Sequence, residues 1–292
     1  MSIDLSLLPP PSVVEPLDFE TILATIKADA LALAPELADV LMLESEPATK
    51  LCEVFAYREL LLRARINNAA KATMLAHAVG PDLVNLAALF DVEALPGEKD
   101  DRLRRRTQLS LESYSTAGPI KSYLYHALSA SVDVLDAFVD SPTPGVVRTV
   151  VLASPSDSYP DGVPDQTLLD TVSAAVSAED VRPLTDTTMT VAADVLLYTI
   201  VAELVFRPGV GEAAVLLAAQ TAADTYAKDQ FRLGYDITVS GLKAALRRPG
   251  VARVNLFSPV APDADSDVLI PVANWQAARC TSVTVTSGGV AA

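Results

Sequence analysis

Residues 19–130 carry hydrophobic side chains at the spacing of amphipathic helices. Acidic residues or prolines mark where the helices begin, because proline fits the first helical turn. Glycine followed by proline marks several of the ends. On these signals we predict helices over residues 19–34, 35–43, 48–78, 82–89, 98–112 and 119–130.

The segment from Ala48 to Ala78 is the longest of these predicted helices. No glycine or proline interrupts it, and the nearest are Pro47 before it and Gly80-Pro81 after it. At about 1.5 Å per residue it would extend over roughly 45 Å, whereas an average globular helix has about 11–12 residues. A helix of this length is typical of lateral packing, so it favours assembly over catalysis.

One face of this helix is apolar. At about 100° per residue, a wedge of roughly 60–80°, a width typical of a buried stripe, contains Leu51, Phe55, Leu62, Ile66, Ala69, Thr73 and Ala76. Arg58 and Arg65 lie one heptad apart at the edge of this wedge, where an arginine either reaches water or meets a carboxylate across an interface. Both alternatives stay open, and Arg63 is expected to face solvent. We hypothesise that this face of the helix is an interface with other chains, formed by Leu51, Phe55, Arg58, Leu62, Arg65 and Ile66.

The hydrophobic pattern changes to that of strands after residue 130. Acidic residues separate the apolar residues at 132–139, and a β-branched run follows at 146–152. A turn over Ser141–Gly145 lies between the two runs, so we predict a β-hairpin. Further strands are predicted over 189–206, in two pieces that meet near Asp194, and over 251–257 and 281–286. Helices are predicted over 165–177, 212–233 and 237–247.

These elements predict an α+β protein in which a long N-terminal helical region precedes two small α+β domains. The predicted segments are an extended arm over 1–18, the helical region over 19–130, a middle α+β domain over 131–194 and a C-terminal α+β domain over 195–292. The arm is predicted from Pro9-Pro10-Pro11, because consecutive prolines favour a polyproline path. A disordered tail is the alternative.

Charge and composition indicate which partners and which cellular compartment to expect. The 292-residue chain has a net charge of −15, so it would repel a polyanion and no nucleic acid is expected as a partner. Cys52 and Cys280 do not form a disulfide framework and are interpreted as small buried hydrophobes. Synthesis in a reducing cytoplasm is expected. We predict neither a signal peptide nor a membrane-spanning segment.

The sequence contains no convincing catalytic or ligand-binding set. His77 and His126 lie on separate predicted helices without cysteine or acidic residues at zinc spacing. The phosphate-loop and nucleophile-elbow motifs are absent. Asp157, Asp161 and Asp165 recur every fourth residue, but intervening prolines and a missing glutamate argue against a calcium loop. We therefore predict no enzymatic activity, no cofactor and no metal.

The one basic run of the chain comprises Arg102 and Arg104–Arg106. It follows Glu98, Asp100 and Asp101 on the predicted charged helix. An acidic start suits the positive end of a helix dipole. We therefore interpret the run as the basic continuation of that helix rather than as a phosphate-binding site.

Several segments in order along the chain are distinctive, first AYRELLLRARIN at Ala56–Asn67 and then Ser115–Pro119 with Tyr123 and Ala127. They resemble the signature helix and the STAGP element of the baseplate J-like proteins of contractile-tailed bacteriophages. Glu179–Asp186 resembles the VRPLTD element of that family. Further similar segments are the charged residues 100–106, the hairpin turn at 140–145, and residues 232–234 and 249–251. The resemblance extends from about residue 15 to residue 286.

The resemblance implies a structural subunit of the baseplate wedge, located in the virion tail. It implies that residues 19–130 bundle with a second copy and with another wedge protein. The C-terminal domain is expected to link wedges into a ring around the tail hub, so hub and sheath-initiating proteins are further expected partners. Tail-like bacteriocins and related contractile injection systems use the same part. The alternatives are a tail-associated cell-envelope hydrolase and a soluble assembly adaptor.

Overall fold

The computed structural model describes residues 5–115, 117–262 and 266–291. The chain divides into two compact units: residues 1–94 with 98–108, and residues 95–97 with 109–292. Helices at the N-terminal end precede mixed helices and strands, so the predicted α+β class with an N-terminal helical region is confirmed. In the described part of the chain, no helix is long and apolar enough to cross a membrane.

The first unit is helical. Asp18 accepts a hydrogen bond from the backbone N–H of Glu20 and caps the first helix, as expected of an N-cap aspartate. Proline occupies the first turn of the third and fourth helices. The helices are α1 (Phe19–Leu33), α2 (Ala38–Leu41), α3 (Pro47–Ala72), α4 (Pro81–Ala88) and α5 (Asp100–Ser113), with single 3-10 turns at Leu5–Leu7 and Pro35–Leu37. The last residues of α5, 109–113, belong to the second unit.

Helix α3 begins at Pro47 as predicted but ends at Ala72, six residues before the predicted end at Ala78. Its 26 residues span about 39 Å. Just beyond it, the carbonyls of Leu75 and Ala78 accept hydrogen bonds from the Arg104 guanidinium at 2.8 and 2.7 Å. Arg104 of α5 thus binds the residues that follow α3 through their backbone oxygens, a contact between segments distant in sequence that the local sequence does not reveal.

The second unit opens with α6 (Ile120–Ala130) and a three-stranded sheet. The predicted hairpin is present: β1 (Val134–Thr143) pairs antiparallel with β2 (Val146–Ala153) across a turn at residues 144–145. Strand β3 (Thr187–Ala192) follows α7 (Gln166–Val176) and pairs parallel with β2. The two helices and this sheet share a core that includes Tyr123, Leu128, Val134, Val151, Leu168 and Val172.

A second three-stranded sheet has β4 (Asp194–Phe206) at its centre, between β6 (Val251–Ser258) and β8 (Gln276–Val290). Strand β4 is antiparallel to β6 and parallel to β8. Helices α8 (Glu212–Asp229) and α9 (Val239–Leu246) supply core residues next to it. The break between β3 and β4 falls at the predicted place near Asp194.

Several details of this region differ from the sequence prediction. Strand β8 spans Gln276–Val290 rather than residues 281–286. Helix α8 ends at Asp229 rather than at residue 233, because Leu233 donates its backbone N–H to Asp136 and bridges to Ala277. Helix α9 begins at Val239 rather than at Ile237. The preceding residues form β5 (Ile237–Thr238), which pairs with an unpredicted strand, β7 (Val268–Ile270).

The two sheets of the second unit share buried residues. Val150 and Leu152 of β2 pack in one cluster with Phe231, Leu233 and Ala277, all of them buried. The proposed boundary between a middle and a C-terminal domain near residue 194 remains a prediction, and this cluster spans it.

Candidate assembly surface

Helix α3 buries its smaller and more polar side chains. Its buried residues are Thr49, Cys52, Ala56 and Asn67. The Thr49 hydroxyl donates to the carbonyl of Val40 at 3.3 Å, beside α2. Small side chains permit close approach of neighbouring helices. Little of the large apolar surface of α3 is therefore used inside its own chain.

The large apolar side chains of α3 are exposed. Leu51, Phe55, Leu62 and Ile66, four residues of the predicted interface, are 56–62% exposed. Within this chain the stripe is consequently not buried, although its narrow angular width is typical of a buried one. Val54, Tyr57 and Leu61 are also exposed, which extends the apolar surface around the helix.

Arg58 and Arg65 lie inside this exposed surface rather than beyond it. At about 100° per residue, Leu62 and Phe55 fall on one side of the two arginines and Val54 and Leu61 on the other. Both guanidinium-bearing side chains are exposed. Together with Leu61 and Leu62 they form one open patch along α3. The wedge predicted from sequence was narrower because it omitted the residues on the far side of the arginines.

Arg63, expected to face solvent, is bound within its own unit. Its guanidinium contacts the carboxylate of Glu59 at 2.6 Å and that of Glu15 at 3.0 Å. The buried side-chain amide of Asn67 accepts from the backbone N–H of Glu15 and donates to its carbonyl, at 3.1 and 2.8 Å. These contacts fix the segment before α1 on α3, on a different face from the arginines Arg58 and Arg65.

The basic run on α5 is a structural element rather than a free surface. The carboxylate of Glu98 is almost fully buried and contacts Arg106 at 2.6 Å and Arg102 at 3.2 Å. Arg106 also donates to the carbonyl of Glu93. Burial lowers the pKa of the Arg102 guanidinium. The spacing of four residues between Glu98 and Arg102 was the sequence signal for this network.

The STAGP and VRPLTD elements meet in the second unit. The Tyr123 hydroxyl donates to the carboxylate of Asp186 at 3.0 Å, and burial together with this hydrogen bond raises the pKa of Tyr123. Gly118 adopts a φ of +65°, and a Cβ there would lie 2.7 Å from the Cγ of Pro183. The Arg182 guanidinium donates to the carbonyl of Asp186. The sequence alone did not predict that these two elements contact each other.

The hairpin element also has a structural role. Asp140 and Arg148 form a salt bridge across β1 and β2, and this contact holds the pKa of Asp140 below its usual range. The Arg148 guanidinium lies 5.6 Å from the centre of the Trp275 ring, at the distance of a cation–π contact. The contact links the hairpin to the segment before β8.

In residues 5–115, 117–262 and 266–291, no group of three or more His, Cys, Asp or Glu side chains is arranged to hold a metal ion. Asp165 caps α7 by accepting from the backbone N–H of Leu168. Burial lowers the pKa of His126, whose ring lies edge-on to that of Tyr125.

Comparison with known proteins covers nearly the whole chain. The family description "Baseplate J-like N-terminal domain" matches residues 44–98, which include the exposed surface of α3. "Baseplate J-like central domain" matches residues 115–193 and "Baseplate J-like protein C-terminal domain" matches residues 198–286. The chain is similar to "Baseplate protein J" of Escherichia phage P2, with 40% identity over 307 aligned positions that cover 98% of each protein.

Proposed function

The chain belongs to the baseplate J-like family, and we propose that it is a structural subunit of the baseplate wedge of a contractile tail or tail-like particle. Its helical region, residues 19–130, bundles with a second copy and with another wedge protein. Its C-terminal region links neighbouring wedges into a ring around the hub. Other baseplate components are its partners, and the assembled virion tail is its location.

The observation that carries this proposal is the exposure of Phe55, Leu62 and their apolar neighbours along α3. Large contiguous apolar patches are uncommon on monomeric proteins and mark interaction sites. An apolar helical face that its own chain leaves open is the surface that a helical bundle buries. The motifs of the second unit make internal contacts, which supports a structural part rather than a hydrolase.

The proposal is tested by changing Phe55 and Leu62 together to Asp. Two carboxylates in an apolar seam are costly to bury, so we expect assembled baseplates to fall by at least about tenfold. Particle counts by electron microscopy and co-sedimentation of the chain with purified tails measure this. The isolated variant should fold, because both side chains are exposed in the chain.

Leu184→Asp is the matched control, since Leu184 is an exposed leucine between α7 and β3, outside the surfaces proposed for assembly. Particles with normal baseplates in the Phe55 and Leu62 double variant would contradict the proposal that this apolar face of α3 is an assembly interface. Recovery of the native chain only in the soluble fraction would favour the alternative that the chain is a soluble assembly adaptor. Clearing of peptidoglycan by the purified chain, lost on change of a single acidic residue, would favour the hydrolase.

A further inference from the structure

The exposed surface of α3 carries an electrostatic pattern that restricts its partner. Helix α3 contains five basic and two acidic residues, a net charge of +3, in a chain whose net charge is −15. Its two acidic side chains are already bound, Glu53 by Lys50 and Glu59 by Arg63. Arg58 and Arg65 make no salt bridge within the described part of the chain.

Covering this surface withdraws water from both guanidinium groups. Leu61 and Leu62 lie next to the arginines in the same open patch, so a partner that buries the leucines also encloses the charges. A buried charge without a counter-charge is strongly unfavourable, whereas a carboxylate binds a guanidinium through two hydrogen bonds. The partner must therefore bring acidic groups to the two arginine positions.

The same face of a second α3 does not meet this requirement. Glu53 and Glu59 lie on other sides of the helix, at about −160° and +80° from Leu51, whereas Arg58 and Arg65 lie at about −20° and −40°. Two copies of α3 paired through this face would place guanidinium groups near one another. Like charges in contact across an interface are unfavourable by several kcal/mol.

From this pattern, and resting on the proposed function, we propose that this face of α3 is covered by an acidic amphipathic helix of a different baseplate chain. That helix presents carboxylates opposite Arg58 and Arg65, which are seven residues and about 10.5 Å apart along the helix axis. Apolar residues between the two carboxylates pack on Leu61 and Leu62. The second copy of this chain in the wedge then uses another surface.

The test titrates the full-length chain with two synthetic amphipathic helices, which differ only at two positions seven residues apart. One helix carries Glu at both positions and the other carries Gln. We expect the Glu helix to bind about tenfold more tightly at low salt, measured by fluorescence anisotropy, with the difference shrinking as salt is added. The double variant Arg58→Gln and Arg65→Gln should bind both helices equally.

Arg63→Gln is the matched control, because Arg63 lies on another face and is bound to Glu59 and Glu15. It should retain the preference for the Glu helix. Equal binding of the two helices, or binding of neither, would overturn the proposal. So would a dimer of the Leu62→Cys variant alone in which the introduced thiol cross-links to its equivalent in the second copy.

Failure of the acidic-partner proposal can be distinguished from failure of the proposed function. Loss of baseplates on the double change of Phe55 and Leu62 to Asp, together with equal binding of both synthetic helices, would support the assembly interface on α3 and contradict the proposal that its partner is acidic. If the Glu helix is preferred but baseplates assemble normally in that variant, the proposal that this face of α3 is needed for assembly is contradicted.

Discussion

Helix α3 and strand β2 use the same kinds of side chain in opposite ways. In α3, Leu51 and Leu62 are exposed while Thr49 and Asn67 are buried. In β2, the apolar run from Val150 to Ala153 is buried throughout. Burial of apolar area is the main favourable term in folding and in association. The second unit therefore buries this apolar surface in its own core, whereas α3 leaves much of its apolar surface exposed.

The largest expected effect tests this contrast with one substitution placed in both regions. Leu152→Ala leaves a cavity in a fully buried position and should lower the free energy of unfolding by about 2–5 kcal/mol. Leu62→Ala on α3 should change it by less than about 0.5 kcal/mol. Urea denaturation measures both, with far-ultraviolet circular dichroism for the helices.

Trp275 is the single tryptophan of the chain and lies in the second unit, so its fluorescence follows that unit. The Leu152→Ala transition should move to lower urea by this probe, and the Leu62→Ala transition should not. Equal losses for the two variants would remove the distinction between the regions, because α3 would then depend on its apolar face for its own folding.

A smaller effect is expected within the helical unit, where charge is buried and apolar surface is exposed. Arg106→Ala removes the guanidinium that contacts the buried carboxylate of Glu98 at 2.6 Å. We expect a loss of about 3 kcal/mol, typical of a broken buried ion pair. Arg58→Ala, at an exposed position, should cost less than about 0.5 kcal/mol. Thermal unfolding followed at 222 nm distinguishes the two. Similar losses would mean that the Glu98 network does not stabilise the unit.

The smallest effect concerns the hairpin of the second unit and depends on pH. The hydrogen bond from Arg148 lowers the pKa of Asp140 in the folded chain. The salt bridge therefore adds stability above the unfolded pKa of about 3.9, and this is lost as the pH falls through the lower folded pKa.

Asp140→Asn should therefore be less stable than the native chain near pH 7, by about 1 kcal/mol or less. The gap should narrow towards about pH 3, as measured by the Tm from Trp275 fluorescence. Asp157→Asn, in the exposed loop after β2, is the control and should show no such gap. A gap that is constant with pH would show that the carboxylate charge is not responsible.

Local signals predicted most elements of the fold. Pro47 set the start of α3, the turn before Val146 set the hairpin, and the break near Asp194 separated β3 from β4. These features depend on backbone preferences of a few adjacent residues, so a single sequence reveals them. Helix ends were predicted less well, since Arg104 and Asp136 bind backbone groups distant in sequence.

The sequence by itself determined the α+β class, the apolar stripe on α3 and the likeness to the baseplate J-like family. Those properties follow from periodicity and from the order of motifs along the chain. Only the tertiary structure decided that the stripe is open, that Arg58 and Arg65 lie within it, and that Arg102 and Arg106 are bound to Glu98. Periodicity defines a face of a helix, but burial depends on what other segments cover that face. In this chain α1 and α2 pack with α3, and the four stripe residues of the predicted interface remain exposed.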